Sequence, residues 1–264
     1  MTDKTITELL LYPIKSLGGI SVPSAQVLTE GFQYDRRWML VDAEGQFVTQ
    51  REHAKMTLFS CELSEEDLII KYQDEEKKIP LANHSENVSR VQVWSSKLKA
   101  HQVSSEVSEW FSDHLGTQVD LVKLTDISKR PKRLFVPPYK THLSFADGYP
   151  YLILGTASME TLNKKLELPL TMDRFRANII VQTSEAHEED EWKQDFVAGT
   201  ASMKVIKPCA RCVVTTIDQQ TGIKGKEPLK TLTTYRKWRN KIWFGANAIC
   251  LREGRLSVGD MINL

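Results

Sequence analysis

Hydrophobic and polar positions alternate with period two along much of the first half of the chain, the pattern of strands with one face buried. Residues 5–11 are rich in aliphatic and β-branched side chains. Residues 37–42 (RWMLVD) and 47–50 (FVTQ) flank Ala43-Glu44-Gly45-Gln46, a hairpin connection. MTLFSCEL (56–63) and DLIIKY (67–72) predict two more strands, and VQVW (91–94) adds another. Strands this close together, without intervening helices, predict a small antiparallel sheet or barrel.

Helical periodicity is confined to short stretches. Val107, Trp110, Phe111 and Leu115 share one face of a helix predicted over 105–116, with Ser105 as its cap. TASMETLNKKL (156–166) predicts a second helix. Residues 128–142, with Pro131, Pro137 and Pro138, read as a loop crossing between two halves of the molecule. Strands return at 151–154, 177–182, 202–207, 212–217 and 256–264. The acidic stretch 185–192 (EAHEEDEW) reads as a solvated loop. The expected class is mainly β with peripheral helices (α+β).

Composition narrows the function classes. The chain has 264 residues, 41% hydrophobic and 26% charged, enough for one large or two modest domains with a proper core. Its 35 basic residues balance 34 acidic ones, which argues against a general nucleic-acid coat or a membrane-surface protein. No stretch approaches the ~20 apolar residues of a membrane span, and the start does not read as a signal peptide. A cytoplasmic location is the default expectation. Four scattered cysteines (Cys61, Cys209, Cys212, Cys250) do not make a disulfide scaffold.

The pair in Lys207-Pro208-Cys209-Ala210-Arg211-Cys212 carries the most chemistry. A structural zinc site would need two further ligands in a similar pair, and Cys61 and Cys250 stand alone. A thioredoxin-like dithiol favours a helix N-terminus, whereas this pair leads into the β-branched run Val213-Val214-Thr215-Thr216-Ile217. Two readings remain level on spacing alone. One is a single thiolate ligand to a soft metal, which the adjacent Lys207 and Arg211 would suit. The other is two buried, inert cysteines.

Cationic positions recur at strand ends: Lys15 beside Ser16, Arg36 and Arg37, and Arg174 and Arg176. Such residues can clamp phosphate. Lys129, Arg130, Lys132 and Arg133 form a cluster that reads equally as a dock for an acidic protein. Residues 236–241 (RKWRNK) mix charge with Trp238, as nucleic-acid patches do, though nucleic acid is not the expected partner. No dinucleotide fingerprint, Walker loop, HExxH or GxSxG is present. Trp38 reads as core.

Tyr12-Pro13-Ile14-Lys15-Ser16 and Asp35-Arg36-Arg37-Trp38 resemble the N-terminal β-barrel module that precedes MOSC domains. Phe145-Ala146-Asp147-Gly148-Tyr149-Pro150, Phe175-Arg176-Ala177-Asn178-Ile179, Cys209 to Asp218 with Thr221-Gly222, Lys226 to Leu229 and Phe244-Gly245 resemble the MOSC domain itself. The ordered set runs nearly end to end and is similar to mitochondrial amidoxime-reducing components and bacterial N-hydroxylaminopurine reductases. The resemblance implies an N-terminal β-barrel module over 1–122 and a MOSC β-barrel domain over 123–264.

It also implies a molybdenum cofactor (Mo-molybdopterin) with Cys212 as metal ligand and Cys209 beside it, off the metal. Lys15, Ser16, Arg36, Arg176 and Asn178 would hold the pterin and its phosphate. Asp147, Gly148 and Tyr149 would line the pocket, with Asp147 a candidate for proton delivery. Asn247 stands where some relatives carry Tyr. The implied activity is reduction of N-hydroxylated small molecules: hydroxylamines, amidoximes and N-hydroxylated bases. No plant-type ferredoxin cysteine spacing is present, so electrons are expected from a separate protein: a flavin reductase, a ferredoxin or a cytochrome b5-like partner. The alternatives are a cofactor-handling or sulfur-carrier protein, with Cys212 bearing a persulfide, and a non-catalytic binding module.

Overall fold

The computed structural model describes residues 4–82, 84–132, 134 and 139–264. The fold is mainly β, as expected, with three short α-helices among the described residues. Its largest sheet has eight strands. Asp195–Ala198, Ala201–Arg211, Lys241–Arg252, Tyr151–Gly155, Ile179–Val181, Ile6–Leu11 and Ile20–Val22 lie side by side in that order, and Lys237–Trp238 pairs with Lys241–Arg252. The first described strand is therefore built into a sheet otherwise supplied mostly by the last third of the chain. Ile6–Leu11 runs antiparallel to Ile179–Val181, with Leu9 opposite Ile179. Gly254–Ser257 likewise pairs with Ser24–Leu28. Strand pairing thus crosses between the two expected domains in two places.

A second core belongs to the N-terminal half. Trp38–Val41, Asp120–Lys123, Ser96–Gln102 and Val88–Val93 form one sheet, and Ser60–Leu63, Asp67–Tyr72 and Glu75–Pro80 another. Asp67–Tyr72 alternates as its sequence demands, with Leu68, Ile70 and Tyr72 buried. Helix α1 (Ser105–Leu115) lays Val107, Trp110 and Phe111 against this core. Trp38 is fully buried, as expected. The cap of α1 is Ser104 rather than Ser105: its extended backbone lets the hydroxyl accept from Val107 N–H.

Several elements depart from expectation. Residues 47–50 make only an isolated bridge, Val41 to Phe47. The start of 56–63 is 3₁₀ (Ala54–Leu58), and its strand begins at Ser60. Residues 128–142 contain the paired strands Arg130–Lys132 and Thr141–Leu143, while Arg133, Pro137 and Pro138 lie outside the described residues.

The acidic stretch 185–192 is not a solvated loop. Glu188–Glu191 is a 3₁₀ turn that buries Glu189 completely. The Glu189 carboxylate accepts from Ser158 Oγ at 2.8 and 2.9 Å and from Gly155 N–H at 3.2 Å, at the start of helix α2 (Thr156–Asn163). Gly155 allows that approach, because a Cβ there would lie 2.8 Å from Glu189 Oε2. Asp190 pairs with Arg236, and Trp192 is buried in the main core. The local pattern could not show this, since the partners lie about thirty residues away.

Glu189→Ala strips the acceptor from two buried donors. It is expected to lower unfolding stability by about 3 kcal/mol, measured by urea titration, with Glu189→Gln closer to wild type. Equal stability of the alanine variant and wild type would show that the contact is not structural.

Candidate functional site

Pairing of Ile6–Leu11 with Ile179–Val181 sets the segment after Leu11 beside the segment before Ile179. Arg36 N–H donates to Tyr12 O at 2.8 Å, which draws in the Asp35-Arg36 turn. Asn178, 1% exposed, ties the three together. Its Nδ2 donates to Leu10 O at 3.1 Å, and its Oδ1 accepts from Arg36 Nη1 at 3.0 Å and from Leu152 N–H at 3.3 Å. The Tyr12 ring lies 4.4 Å from the Arg36 guanidinium and 4.3 Å from that of Arg176. Arg176 Nη1 donates to Leu17 O at 2.6 Å. Burial first, and neighbouring Arg36 second, push the Arg176 guanidinium down to about 10.

Three non-glycine residues here occupy the left-handed region: Ser16 (φ 70°), Arg36 (φ 50°) and Arg176 (φ 54°). Such backbone is uncommon for side-chain-bearing residues and tends to gather at functional sites.

Lys15 is buried beside them. Its Nζ donates to Phe145 O at 2.8 Å and pairs with Asp147. Burial pushes the ammonium down to about 8, against the pull of Asp147. Asp147 also accepts from Arg51 Nη2 at 2.9 Å and from Trp94 Nε1 at 3.2 Å. Burial alone would raise the Asp147 carboxyl, but Lys15 and Arg51 outweigh it and hold it well below the usual carboxylate range. In this geometry Asp147 anchors two cations, Lys15 and Arg51.

Cys212 is exposed, and Arg51 Nη2 lies 3.8 Å from its sulfur. The expected strand over 212–217 is instead a 3₁₀ turn, Val213–Thr216. Cys212 O accepts from Thr215 N–H at 3.1 Å and from Thr215 Oγ1 at 3.0 Å, and Thr216 Oγ1 donates to Val213 O at 2.8 Å. These hydroxyls cap local carbonyls and override the strand preference of the β-branched run. The long strand Ala201–Arg211 stops one residue short of Cys212, which leaves the thiol outside the ladder. Cys209 is half-buried and accepts from Arg211 Nη1 at 3.2 Å. Neither cysteine of the pair is buried.

The ten residues that the resemblance assigned to the cofactor and its pocket line one cleft of about 690 Å³: Lys15, Ser16, Arg36, Asp147, Gly148, Tyr149, Arg176, Asn178, Cys212 and Asn247. Lys132 and Lys207 flank the Tyr149 ring at 5.2 and 5.3 Å. Asn247 Nδ2 donates to Pro208 O at 3.2 Å. Other cations lie elsewhere: Arg174 pairs with Asp218 at 2.6 Å, and Arg37 with Glu30 at 3.1 Å. The expected docking cluster at 129–133 is broken up. Arg130 is buried and donates to Ser144 O and Ala146 O, Lys132 turns to the cleft, and Arg133 lies outside the described residues. Sequence reasoning missed Arg51 and Trp94, single residues in turns with no spacing partner to mark them.

Residues 3–118 match the MOSC N-terminal beta barrel domain, and residues 140–263 match the MOSC domain. The chain belongs to the MOSC family. Similar proteins include "Mitochondrial amidoxime reducing component 2" of Bos taurus, 31% identical over 98% of this chain and 82% of the relative. "Mitochondrial amidoxime-reducing component 1" is 28% identical in Homo sapiens, with the same coverage, and 32% in Danio rerio, over 97% of this chain and 83% of the relative. The MOSC match covers Asp147, Arg176, Asn178 and Cys212, and the N-terminal match covers Lys15, Arg36, Arg51 and Trp94, so the cleft is shared between the two.

The lowered Lys15 predicts a pH dependence for anions in the cofactor-free protein. Sulfate, whose charge is constant, should bind progressively less well as pH rises through about 8, where the ammonium loses its proton. Calorimetric titration of wild type and Lys15→Met checks this; a slope that persists in the variant would assign it to another group.

Proposed function

We propose that this MOSC protein is a molybdenum-cofactor-dependent reductase of N-hydroxylated compounds, supplied with electrons by a separate protein. The observation that carries the reading is one exposed thiol, Cys212, in the same cleft as a buried cationic cradle. Among the described residues no three His, Cys, Asp or Glu side chains converge as a metal site. A metal here would take one protein sulfur and draw its other ligands from an organic partner. A soft metal on a pterin dithiolene with a phosphate tail has that form. Cys212 would ligate the metal, while Lys15, Ser16, Arg36 and Arg176 would face the phosphate end.

When bound, the cofactor supplies the two-electron reduction of the N–O bond. The chain does the rest. Arg36, held by Asn178, and Arg176, held by the Leu17 carbonyl, both lie against Tyr12 and offer desolvated donors to an anion. Asp147 holds Lys15 and Arg51 in place, and Arg51 keeps a cation beside the sulfur. Lys132 and Lys207 on Tyr149 add positive charge to the cleft lining.

The amidoxime-reducing relatives support the substrate class. As part of the same reading we place the protein in the cytoplasm, because four free cysteines suit a reducing compartment. No helix among the described residues is long and apolar enough to cross a membrane. A sulfur-carrier role is the second reading, favoured by the exposure of Cys212.

Protein from a cofactor-competent host should contain about one molybdenum per chain, and Cys212→Ala should contain little. Elemental analysis reads both. Metal-free wild type with persulfide on Cys212 would turn the assignment to sulfur transfer.

A further inference from the structure

Trp94 sits in a conformation that its side chain does not favour. The antiparallel strands Val88–Val93 and Ser96–Gln102 begin their register at Val93 opposite Ser96, so Trp94-Ser95 is the whole connection. Trp94 takes φ 54°. Two-residue hairpin turns use such angles routinely, but with Gly, Asn or Asp in place of a bulky ring. The fold does not need tryptophan there, yet the ring is held firmly. Its Nε1 donates to Asp147 Oδ1 at 3.2 Å. The Arg51 guanidinium lies 4.9 Å from the ring, and the Phe47 ring supports it at 5.0 Å. Even so, Trp94 remains 47% exposed, and it lines the cleft that holds Cys212.

An indole held in strained backbone, backed by an aromatic ring and left half open toward a thiol-bearing cleft, has the form of a binding surface. Its edge is fixed by hydrogen bonding to Asp147, and Asp147 is tied to the same Arg51 that reaches Cys212. A flat π-system entering beside Cys212 would meet an indole that is already immobilised, so little side-chain entropy is lost on contact. Stacking of this kind tolerates different ring systems but requires planarity.

We infer that Trp94 is a specificity-determining platform that stacks planar, conjugated N-hydroxylated substrates, such as aryl amidoximes and N-hydroxylated heteroaromatic bases, and gives no advantage to small aliphatic hydroxylamines. This rests on the reductase reading above and adds to it the residue that chooses among substrates.

The test uses cofactor-loaded protein reduced by dithionite and viologen, so that no protein donor is involved. The probes are benzamidoxime, which is planar, and N-methylhydroxylamine, which is not. Trp94→Ala and Trp94→Asn should raise KM for benzamidoxime roughly 10-fold, in line with the loss of one aromatic stacking contact. Trp94→Phe should restore most of it. The ratio of the two KM values, benzamidoxime over N-methylhydroxylamine, should therefore rise in Trp94→Ala and Trp94→Asn and return in Trp94→Phe, which loses the same Nε1 bond to Asp147 as the other two. Because Asn suits the left-handed turn, Trp94→Asn should also keep the wild-type Tm or exceed it. Equal losses on both probes would overturn the platform, and a fall in molybdenum content would make Trp94 a cofactor contact instead. Wild-type loaded protein that reduces neither probe would sink the reductase reading itself, and the platform with it, an outcome distinct from both.

Discussion

The strand Ile6–Leu11 lies between Ile20–Val22 and Ile179–Val181, so the first described segment of the chain is embedded in a sheet drawn largely from its last third. Chain continuity then does the positioning. Leu11 leads into Tyr12 to Ser16, and Ile179 is preceded by Arg176 to Asn178. Residues about 160 positions apart therefore meet at one sheet end. Asn178 spans the junction with hydrogen bonds to Leu10, Leu152 and Arg36. These bonds fasten the cradle together. A shift of one residue in this pairing would turn the side chains of the strand to the opposite face of the sheet, and the cationic end of the cleft would lose its geometry.

The price of that geometry is electrostatic. Lys15, Arg36 and Arg176 are gathered out of water with two carboxylates, Asp35 and Asp147, in partial compensation. Burial pushes the Lys15 ammonium down to about 8 and the Arg176 guanidinium down to about 10, the sign expected of cations short of anionic partners. Left-handed backbone at Ser16, Arg36 and Arg176 adds conformational cost at the same place. Neither effect stabilises the fold by itself. An anion in the cleft would relieve the electrostatic part, so the arrangement makes physical sense as a site prepared for a charged ligand.

Much of this was legible in the sequence, and the misses share a cause. Alternation in Asp67–Tyr72 and helical spacing in α1 are local patterns, and both elements formed where expected. The ordered short motifs brought all ten candidate residues into one cleft. What failed depended on distant partners. Glu189 looks solvated until Ser158 and Gly155 are placed beside it. Arg130 looks like surface until the carbonyls of Ser144 and Ala146 reach it. Trp94 reads from sequence as the end of a strand and Arg51 as the residue after one, and both sit instead in turns.

The run after Cys212 shows how such a conflict serves the site. Val213, Val214, Thr215, Thr216 and Ile217 are β-branched, and by propensity they would extend the strand Ala201–Arg211. In that extension residue 212 would lie within the ladder, with its direction dictated by the pleat. Two threonine hydroxyls bonded to carbonyls three residues back close a 3₁₀ turn instead. Upstream, Pro208 cannot donate to the ladder, and the register against Lys241–Arg252 shifts on both sides of it. The strand is thus irregular before the cysteine and ended just ahead of it. Lys207, Cys209, Ala210, Arg211 and Cys212 all reach the cleft, which a regular strand, sending alternate residues to opposite faces, could not arrange. Local rules are broken where the thiol must be presented, and the long pairing with Lys241–Arg252 holds the broken strand in place.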